Sequence, residues 1–542
     1  MKKIHNLYHT VKHLKSTQLT NRFKRKFFKP KVVSLPSKIS TRNSANSWLA
    51  VELSKTSYIN ENVYNFLNHS GDVTDWNDPS QEKLWLYNLH YFDDLNAEGN
   101  AQRREIHRKL INRWIAENAP IAGNGWEPYP LSLRIVNWIK WFMSGNCPEL
   151  TWQQSLWQQV SVLEQDLEYH LLGNHLFANA KALVFSGCYF DGPDASRWLN
   201  TGLLIVDKEL KEQILDDGGN FELTPMYHNT ILADVLDLIN LTFVYQHPEL
   251  VKRITNWRSL AKKMLSWMNT MTHPNGDIVL FNDSANGIAA TATKLNDYAS
   301  QLDIKIDKCD NKVVTHLDSS GYIKISIDQQ TAFLDVAKVG PDYIPGHAHA
   351  DTLSFEWNYG QQRVFVNSGT SIYGTGDERL RQRKTAAHNT VVVDELDSSE
   401  VWSGFRVARR AYPDISIIES NEKTAKIVCS HDGYMRLPGK VSHERKWEMN
   451  ADTFVLTDKL SGVFSTAKAH YHLHPSIKIK KNSDFIYLTL PDGVLIKLTI
   501  KGANVEILDT TWHPEFGLSI DNKKLVLSFN QPEVSLIISR VN

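Results

Sequence analysis

A helical barrel or toroid followed by an antiparallel β-sandwich is the fold that two features of the sequence predict. Upstream of about residue 310, apolar residues recur three and four positions apart, the period of helices with one buried face. Downstream they alternate and become β-branched, with turn residues between short runs. A chain of 542 residues is long enough for several domains around large apolar cores.

The helical period is clear over Leu131–Ile139, Leu156–Leu172, Leu176–Val184 and Ile231–Tyr245. Gly123-Asn124-Gly125, Asp191-Gly192-Pro193, Asp216-Asp217-Gly218-Gly219 and His273-Pro274-Asn275-Gly276 punctuate it as turns. Repeated helix–turn–helix units of this length can wind into a toroid. Strands are predicted over Tyr322–Ile327, Thr331–Val336, Thr390–Val393, Ala425–Val428, Phe454–Thr457, Ile477–Lys480, Val494–Ile500 and Val534–Ile538. The organisation is therefore a basic arm and lead-in (1–89), a toroid (90–305) and a β-sandwich (310–542).

Lys plus Arg equals Asp plus Glu at 60 each, so no global field draws the chain to nucleic acid. Cys147, Cys188, Cys309 and Cys429 lack metal-knuckle spacing and read as buried free thiols. No apolar stretch forms a signal h-region or spans a bilayer, which makes the cytoplasm the default location. The arm with Arg22, Lys24, Arg25, Lys26, Lys29 and Lys31 reads as a solvated tail, with peripheral contact to anionic lipid or a partner as its alternative.

The chemistry-bearing residues concentrate in a few segments. His347 and His349 stand two apart, on one face of a regular strand unless a turn aims them apart, and His388 heads another strand-like run. Three imidazoles in a β-rich region predict a metal site beside an acid–base site. In the helical half, Gly173-Asn174-His175 opens one apolar helix, and Glu222, Tyr227 and His228 gather at the entry to another. Helix starts cluster at one end of a toroid, so such polar groups can meet.

These segments together resemble the heparinase II/III family of polysaccharide lyases. Gly173-Asn174-His175, Glu222 with Pro225-Met226-Tyr227-His228, Phe281-Asn282-Asp283-Ser284-Ala285 and His347-Ala348-His349-Ala350-Asp351 carry the resemblance. Val366-Asn367-Ser368-Gly369-Thr370, Ala387-His388-Asn389-Thr390 and Phe405-Arg406-Val407-Ala408-Arg409-Arg410 extend it in order. The resemblance implies an incomplete α/α toroid followed by antiparallel sheets, and β-elimination on a uronate-containing acidic polysaccharide or oligosaccharide. It assigns Asn174 and His175 to neutralising the uronate carboxylate, and Tyr227 and His347 to acid and base, in an order left open. It also implies zinc ligands at His349, His388 and Asn367, and no organic cofactor. Where the family has Asp this chain has Asn367, a neutral and poor zinc ligand. Weak zinc of structural role, substitution by Asp351, or a hydrogen-bond network without metal are the alternatives.

Further substrate contacts are expected at Trp126 and Tyr129, as stacking surfaces, and at Arg134, Glu222, His228, Arg379 and Arg383. Arg134 can instead pair with Glu127, and His228 can instead be structural. Arg406, Arg409 and Arg410 are as well suited to surface ion pairs. Asp283 reads as an interior acceptor that fixes its loop, and His470, His472 and His474 as sheet residues. The rival functions are a uronate C5-epimerase and a non-catalytic glycan-binding protein of capsule or exopolysaccharide assembly.

Overall fold

The computed structural model describes residues 2–305, 312–482 and 485–541. Two helices, α1 (Lys2–Val11) and α2 (Ser16–Phe27), lead an extended segment and a small three-stranded sheet over Tyr58–Asp72. The helical unit follows: α3 (Lys83–Tyr91), α4 (Arg104–Glu117), α5 (Pro128–Met143), α6 (Leu150–Leu163), α7 (Gly173–Tyr189), α8 (Pro193–Gln213) and α9 (Pro225–Tyr245). A single turn, α10 (Pro248–Val251), then α11 (Ile254–Thr270) and α12 (Ala292–Gln301) complete it.

The centre of this unit is α7, of which all but His175 is buried. It packs against α5 and α8. Contact with α8 is close because Gly187 and Gly202 face the neighbouring helix; a Cβ on Gly202 would stand 2.8 Å from the Ala180 carbonyl oxygen. Pro starts α5, α8 and α9, where its missing N–H costs no helical bond. Thr224 caps α9 by accepting the Tyr227 N–H at 3.2 Å. Tyr227 therefore stands in the first turn of α9 as Asn174 and His175 stand in the first turn of α7. This is the clustering of helix starts expected from the sequence.

From Val314 the chain is largely antiparallel sheet. Five strands over 314–365 pair mostly in sequential order. An eight-stranded sheet runs from 413–420 to 478–481, and a four-stranded sheet joins Val391–Val393, Ala467–His472, Ile520–Phe529 and Asn504–Trp512. Their apolar faces share one core, with Phe355, Trp357, Trp447, Leu456, Tyr471 and Leu525 contributed from all three. Each predicted strand is present, most displaced by one or two residues at their ends, while those predicted over 425–428 and 454–457 run on to His431 and Ser461. The predicted helix over 156–172 stops at Leu163, and the rest is turn.

Two other expectations are corrected. His347 ends a 3₁₀ turn (Pro345–His347), so the His-Ala-His segment is not a regular strand. Cys188 and Cys429 are buried thiols, but Cys147 is exposed; Cys309 lies outside the described residues. Among the described residues no helix is long and apolar enough to cross a membrane.

Candidate active site

Three loops deliver the site, and each contains a non-glycine residue in the left-handed region: Leu172 (φ 65°), Leu223 (φ 57°) and Asn282 (φ 55°). Such conformations cost about 1–3 kcal/mol each and persist where the surroundings over-determine them. The determinants are visible. Gly173 is itself left-handed (φ 58°), and a Cβ there would lie 2.8 Å from Glu222 Oε1. The Asn282 amide donates to the Leu223 carbonyl at 2.9 Å, tying the second loop to the third.

Asp283, fully buried, is the hub. Both its carboxylate oxygens accept from Arg379 on α13 (Asp377–Arg383), Oδ2 from Nη2 at 2.6 Å and Oδ1 from Nη1 at shorter range. His347 Nδ1 donates to Oδ2 at 3.0 Å and His349 Nε2 to Oδ1 at 2.7 Å. The backbone closes the same joint: Asp283 N–H donates to the His347 carbonyl, and His349 N–H to Asn282 Oδ1, both at 3.0 Å. Burial alone would raise the Asp283 pKa, but the Arg379 guanidinium and the two imidazoles hold it well below the usual carboxylate range. One carboxylate thus holds two histidines, through Nδ1 of His347 and Nε2 of His349.

On the first side, the His347 ring lies 4.3 Å from the Tyr227 ring, centre to centre. Because Nδ1 serves Asp283, Nε2 is the nitrogen left for chemistry, 3.5 Å from Glu222 Oε2. The other Glu222 oxygen accepts the Asn174 N–H at 3.3 Å, so this buried carboxylate links the start of α7 to His347. The Tyr227 hydroxyl meets that of Tyr373 at 3.1 Å. Burial, and then Tyr373 itself, push the Tyr227 phenol well above its ordinary value, so it holds its proton near neutrality. Next to Asn174, His175 Nδ1 bonds Glu168 Oε1 at 3.1 Å and its ring lies tilted against Tyr129, centres 4.5 Å apart. Burial pulls the His175 pKa down, but the Glu168 carboxylate more than offsets this and raises it, favouring imidazolium. Asn174, His175, Tyr227, His347 and Tyr129 are therefore one cluster.

On the second side stand His349 and His388, ring centres 5.2 Å apart. His349 uses Nε2 on Asp283, and His388 Nδ1 meets Asn367 Oδ1 at 2.6 Å. His349 Nδ1 and His388 Nε2 are left buried and without partners. Ligand atoms of His349, His388 and Asp351 lie within 4.8 Å of one another. Burial lowers the His349 pKa to about 4 and holds the His388 pKa well below its ordinary value, leaving neutral imidazoles, the form that binds metal. Burial also raises Asp351 to about 6, which a nearby cation would reverse. Two lone pairs and a carboxylate fit a divalent ion. Asn367, expected as the third ligand, lies beside this group with its Oδ1 against His388 Nδ1.

Several expected substrate contacts are scaffold instead. Trp126 is buried against Trp114, ring centres 5.8 Å apart, and presents no stacking face. Arg134, also buried, bonds Gln159 Oε1 and the His90 and Gly125 carbonyls, and covers the Trp114 ring; Glu127 is not its partner. His228 bridges the Asn220 N–H and the Met264 carbonyl. Arg379 is committed to Asp283, and Arg383 to the carbonyls of Ala348, Ser403 and Arg406. Glu222 is buried and touches the site residues themselves rather than open solvent. Arg409 and Arg410 pair with Glu400 and Asp342, while Arg406 lies over Trp402. His472 Nε2 bonds the Ala386 carbonyl, a sheet-to-loop contact. Tyr373 and the orienting Glu168 were not singled out: nothing in the spacing of Ser371-Ile372-Tyr373 marks it, whereas Glu168, seven residues before His175, was open to a pairing argument.

Comparison with known proteins agrees along nearly the whole chain. A family model described as Heparinase II/III N-terminus matches residues 9–305, and one described as Heparinase II/III-like, C-terminal, matches residues 310–539. A heparin-sulfate lyase of Bacteroides thetaiotaomicron is 29% identical over 432 residues, covering 68% of this chain and 58% of the relative. One of Bacteroides stercoris is 25% identical over 258 residues, covering 43% and 37%. The chain thus spans less than two thirds of the length of these relatives. Among solved structures, a heparinase III superposes with a TM-score of 0.69 at 18% identity, over 87% of this chain and 80% of the other. The heparan sulfate lyase HepC of Pedobacter heparinus gives 0.58 at 16% identity, over 97% and 88%. At such identities the superpositions establish the fold.

The hub predicts a stability effect with a defined pH dependence. Asp283→Asn leaves the Arg379 cation buried without its counter-charge and should destabilise the fold by about 3–5 kcal/mol. Because the folded pKa of Asp283 is depressed, its contribution is complete above the ordinary carboxylate value, roughly 4, and is lost as pH falls through the folded value. Denaturant unfolding of parent and variant should therefore differ most above about pH 4 and converge in acid. Equal stability at neutral pH would contradict the assignment.

Proposed function

Matched by both halves of its description, the chain belongs to the heparinase II/III family, and on that premise we propose that it is a polysaccharide lyase that cleaves a uronate-containing glycan by β-elimination. The observation that carries the proposal is the pairing of a proton-holding Tyr227 with a His347 whose Nδ1 is fixed on Asp283. The heparin-sulfate lyase names of the relatives supply the substrate class.

The C5 proton of a uronate is weakly acidic while the carboxylate is ionised. The His175 imidazolium, oriented by Glu168, and the Asn174 amide neutralise that carboxylate and stabilise the aci-carboxylate that forms on proton loss. His347 Nε2 takes the C5 proton, and Glu222 and Asp283 stabilise the resulting imidazolium. The electron pair forms the C4–C5 double bond as the C4–O4 bond breaks, and Tyr227 gives its proton to O4. Tyr373, hydrogen-bonded to Tyr227, positions that phenol. Elimination leaves a 4,5-unsaturated uronate end and consumes no water.

We further propose that His349, His388 and Asp351 hold a zinc ion of structural role, with Asn367 orienting His388 through its Nδ1. Bound there, the ion would cross-link the segments around 349 and 388 behind the reacting groups. No step of the elimination runs through it.

The unsaturated product absorbs in the ultraviolet. Incubation with a panel of uronate polysaccharides and oligosaccharides, heparan sulfate included, should raise that absorbance. Tyr227→Phe and His347→Ala should each lower the rate by about 10²–10⁴-fold. Exchange of the C5 hydrogen with solvent but no absorbance rise would replace the lyase by an epimerase, and glycan binding with neither would replace it by a non-catalytic glycan-binding protein. For the metal, elemental analysis of purified protein should find about one zinc per chain, lost in His388→Ala and Asp351→Ala but retained in Asn367→Ala. Loss in Asn367→Ala with retention in Asp351→Ala would overturn the ligand set.

A further inference from the structure

The N-terminal arm is not a solvated tail. Its two helices dock on the body of the protein, and they dock by their polar faces. Along α2, Gln18 is buried and its amide donates to the Tyr343 carbonyl at 3.2 Å. One turn pair further on, Arg25 forms a two-pronged ion pair with Asp166, both contacts 2.7 Å, and meets His170 Nε2 at 2.6 Å. Just before the helix, Lys15 pairs with Glu212. In α1, Asn6 is buried, and Thr10 Oγ1 accepts from Trp402 Nε1 at 3.1 Å, with the Asn6 and Val407 carbonyls at 2.8 and 3.2 Å as acceptors for its one proton.

The apolar residues point the other way. Leu19, Phe23 and Phe27 recur every fourth residue and form a row opposite Gln18 and Arg25. Phe23 is 64% exposed and Phe27 66%, their rings 4.9 Å apart in a continuous ridge, and Phe28 beyond them is 76% exposed. Ile4, 75% exposed, begins the same kind of row in α1, continued by Leu7, Tyr8 and Val11. A helix at a protein surface ordinarily buries its apolar stripe. Here two consecutive helices turn theirs outward.

Charge identifies what covers them. Residues 1–51 contain 12 Lys and Arg and no Asp or Glu, in a chain whose totals balance at 60 each. Arg22, Lys24 and Lys26 flank the Phe23–Phe27 ridge and are exposed. We propose that α1 and α2 form an interfacial platform that binds the surface of a membrane rich in anionic lipid. Aromatic side chains enter the boundary between headgroups and acyl chains while the flanking cations meet the headgroups. A second copy of the chain is the poorer occupant, because each copy would bring the same uncompensated cations to the interface. The inner faces of the arm touch Tyr343 and His170, each four residues ahead of a site residue, His347 and Asn174 respectively.

Sedimentation of the full chain with vesicles tests this directly. Vesicles of phosphatidylcholine with one-third phosphatidylserine should bind at least about tenfold more protein than phosphatidylcholine alone, with the difference lost in half-molar NaCl. A Phe23→Ser/Phe27→Ser variant should bind at least about tenfold less than the parent, and its thermal unfolding should be unchanged because both side chains are exposed. Equal binding to neutral and anionic vesicles, or equal binding by parent and variant, would overturn the proposal. So would the absence of vesicle binding together with a dimer in sedimentation equilibrium that the double substitution abolishes, which would assign the ridge to a second copy.

Discussion

The carboxylate of Asp283 is the constraint on which the rest of this structure depends. An ionised carboxylate is expensive to bury, and only a full set of partners makes it tolerable. Arg379 supplies the counter-charge, and His347 and His349 supply further donors. Those partners come from separate segments, so satisfying one buried charge fixes the positions of α13, the Pro345–His347 turn and the loop at Asn282 together. The left-handed Asn282 is maintained by the same joint. The two histidines use different nitrogens on the hub, so His347 keeps Nε2 beside Glu222 with its ring against Tyr227, and His349 keeps Nδ1 in the group with His388.

Around that joint the two halves of the chain have complementary duties. The helical unit contributes Asn174, His175 and Tyr227 from the first turns of α7 and α9, where rigid helices begin and caps define the backbone. The β-rich half contributes His347 and the His349, His388 and Asp351 group proposed to hold an ion, backed by a sandwich core continuous through three sheets. Glu222 spans the seam with one oxygen on each side. Cations that could have met an acidic polymer, such as Arg134 and Arg383, are instead spent on backbone carbonyls inside the protein. The acidic substrate of the proposed reaction is left to His175, whose charge is stabilised by Glu168.

Both halves of the fold were legible in periodicity, since burial of one helix face or one sheet face writes directly into residue spacing. The residues proposed as acid, base and carboxylate-neutralising groups were legible as an ordered set of short segments, and the structure brings them together. Exposure was not legible. Trp126 and Arg134 are amphipathic types whose surroundings depend on how distant elements close, here on Trp114 and the Gly125 carbonyl. The docked polar face of α2 was hidden for the same reason, because its partners Asp166 and His170 lie far away in sequence. Tyr373 carried no local signal; only the folded loop places its hydroxyl on Tyr227. Asn367 illustrates a middle case: the departure from Asp and the alternative carboxylate Asp351 were both visible in the sequence, but only the fold shows Asp351 within reach of His349 and His388.

The central claim is that Asp283 fixes His347 with its proton on Nδ1 and its lone pair on Nε2. Nitrogen-15 NMR of histidine-labelled protein, with His347 assigned by its Ala variant, reads this tautomer directly at a pH where the ring is neutral. The account predicts a protonated Nδ1 and a bare Nε2 in the parent, with that preference weakened in Asp283→Asn. A His347 ring that carries its proton on Nε2 in the parent would leave no base facing Tyr227 and would contradict the account.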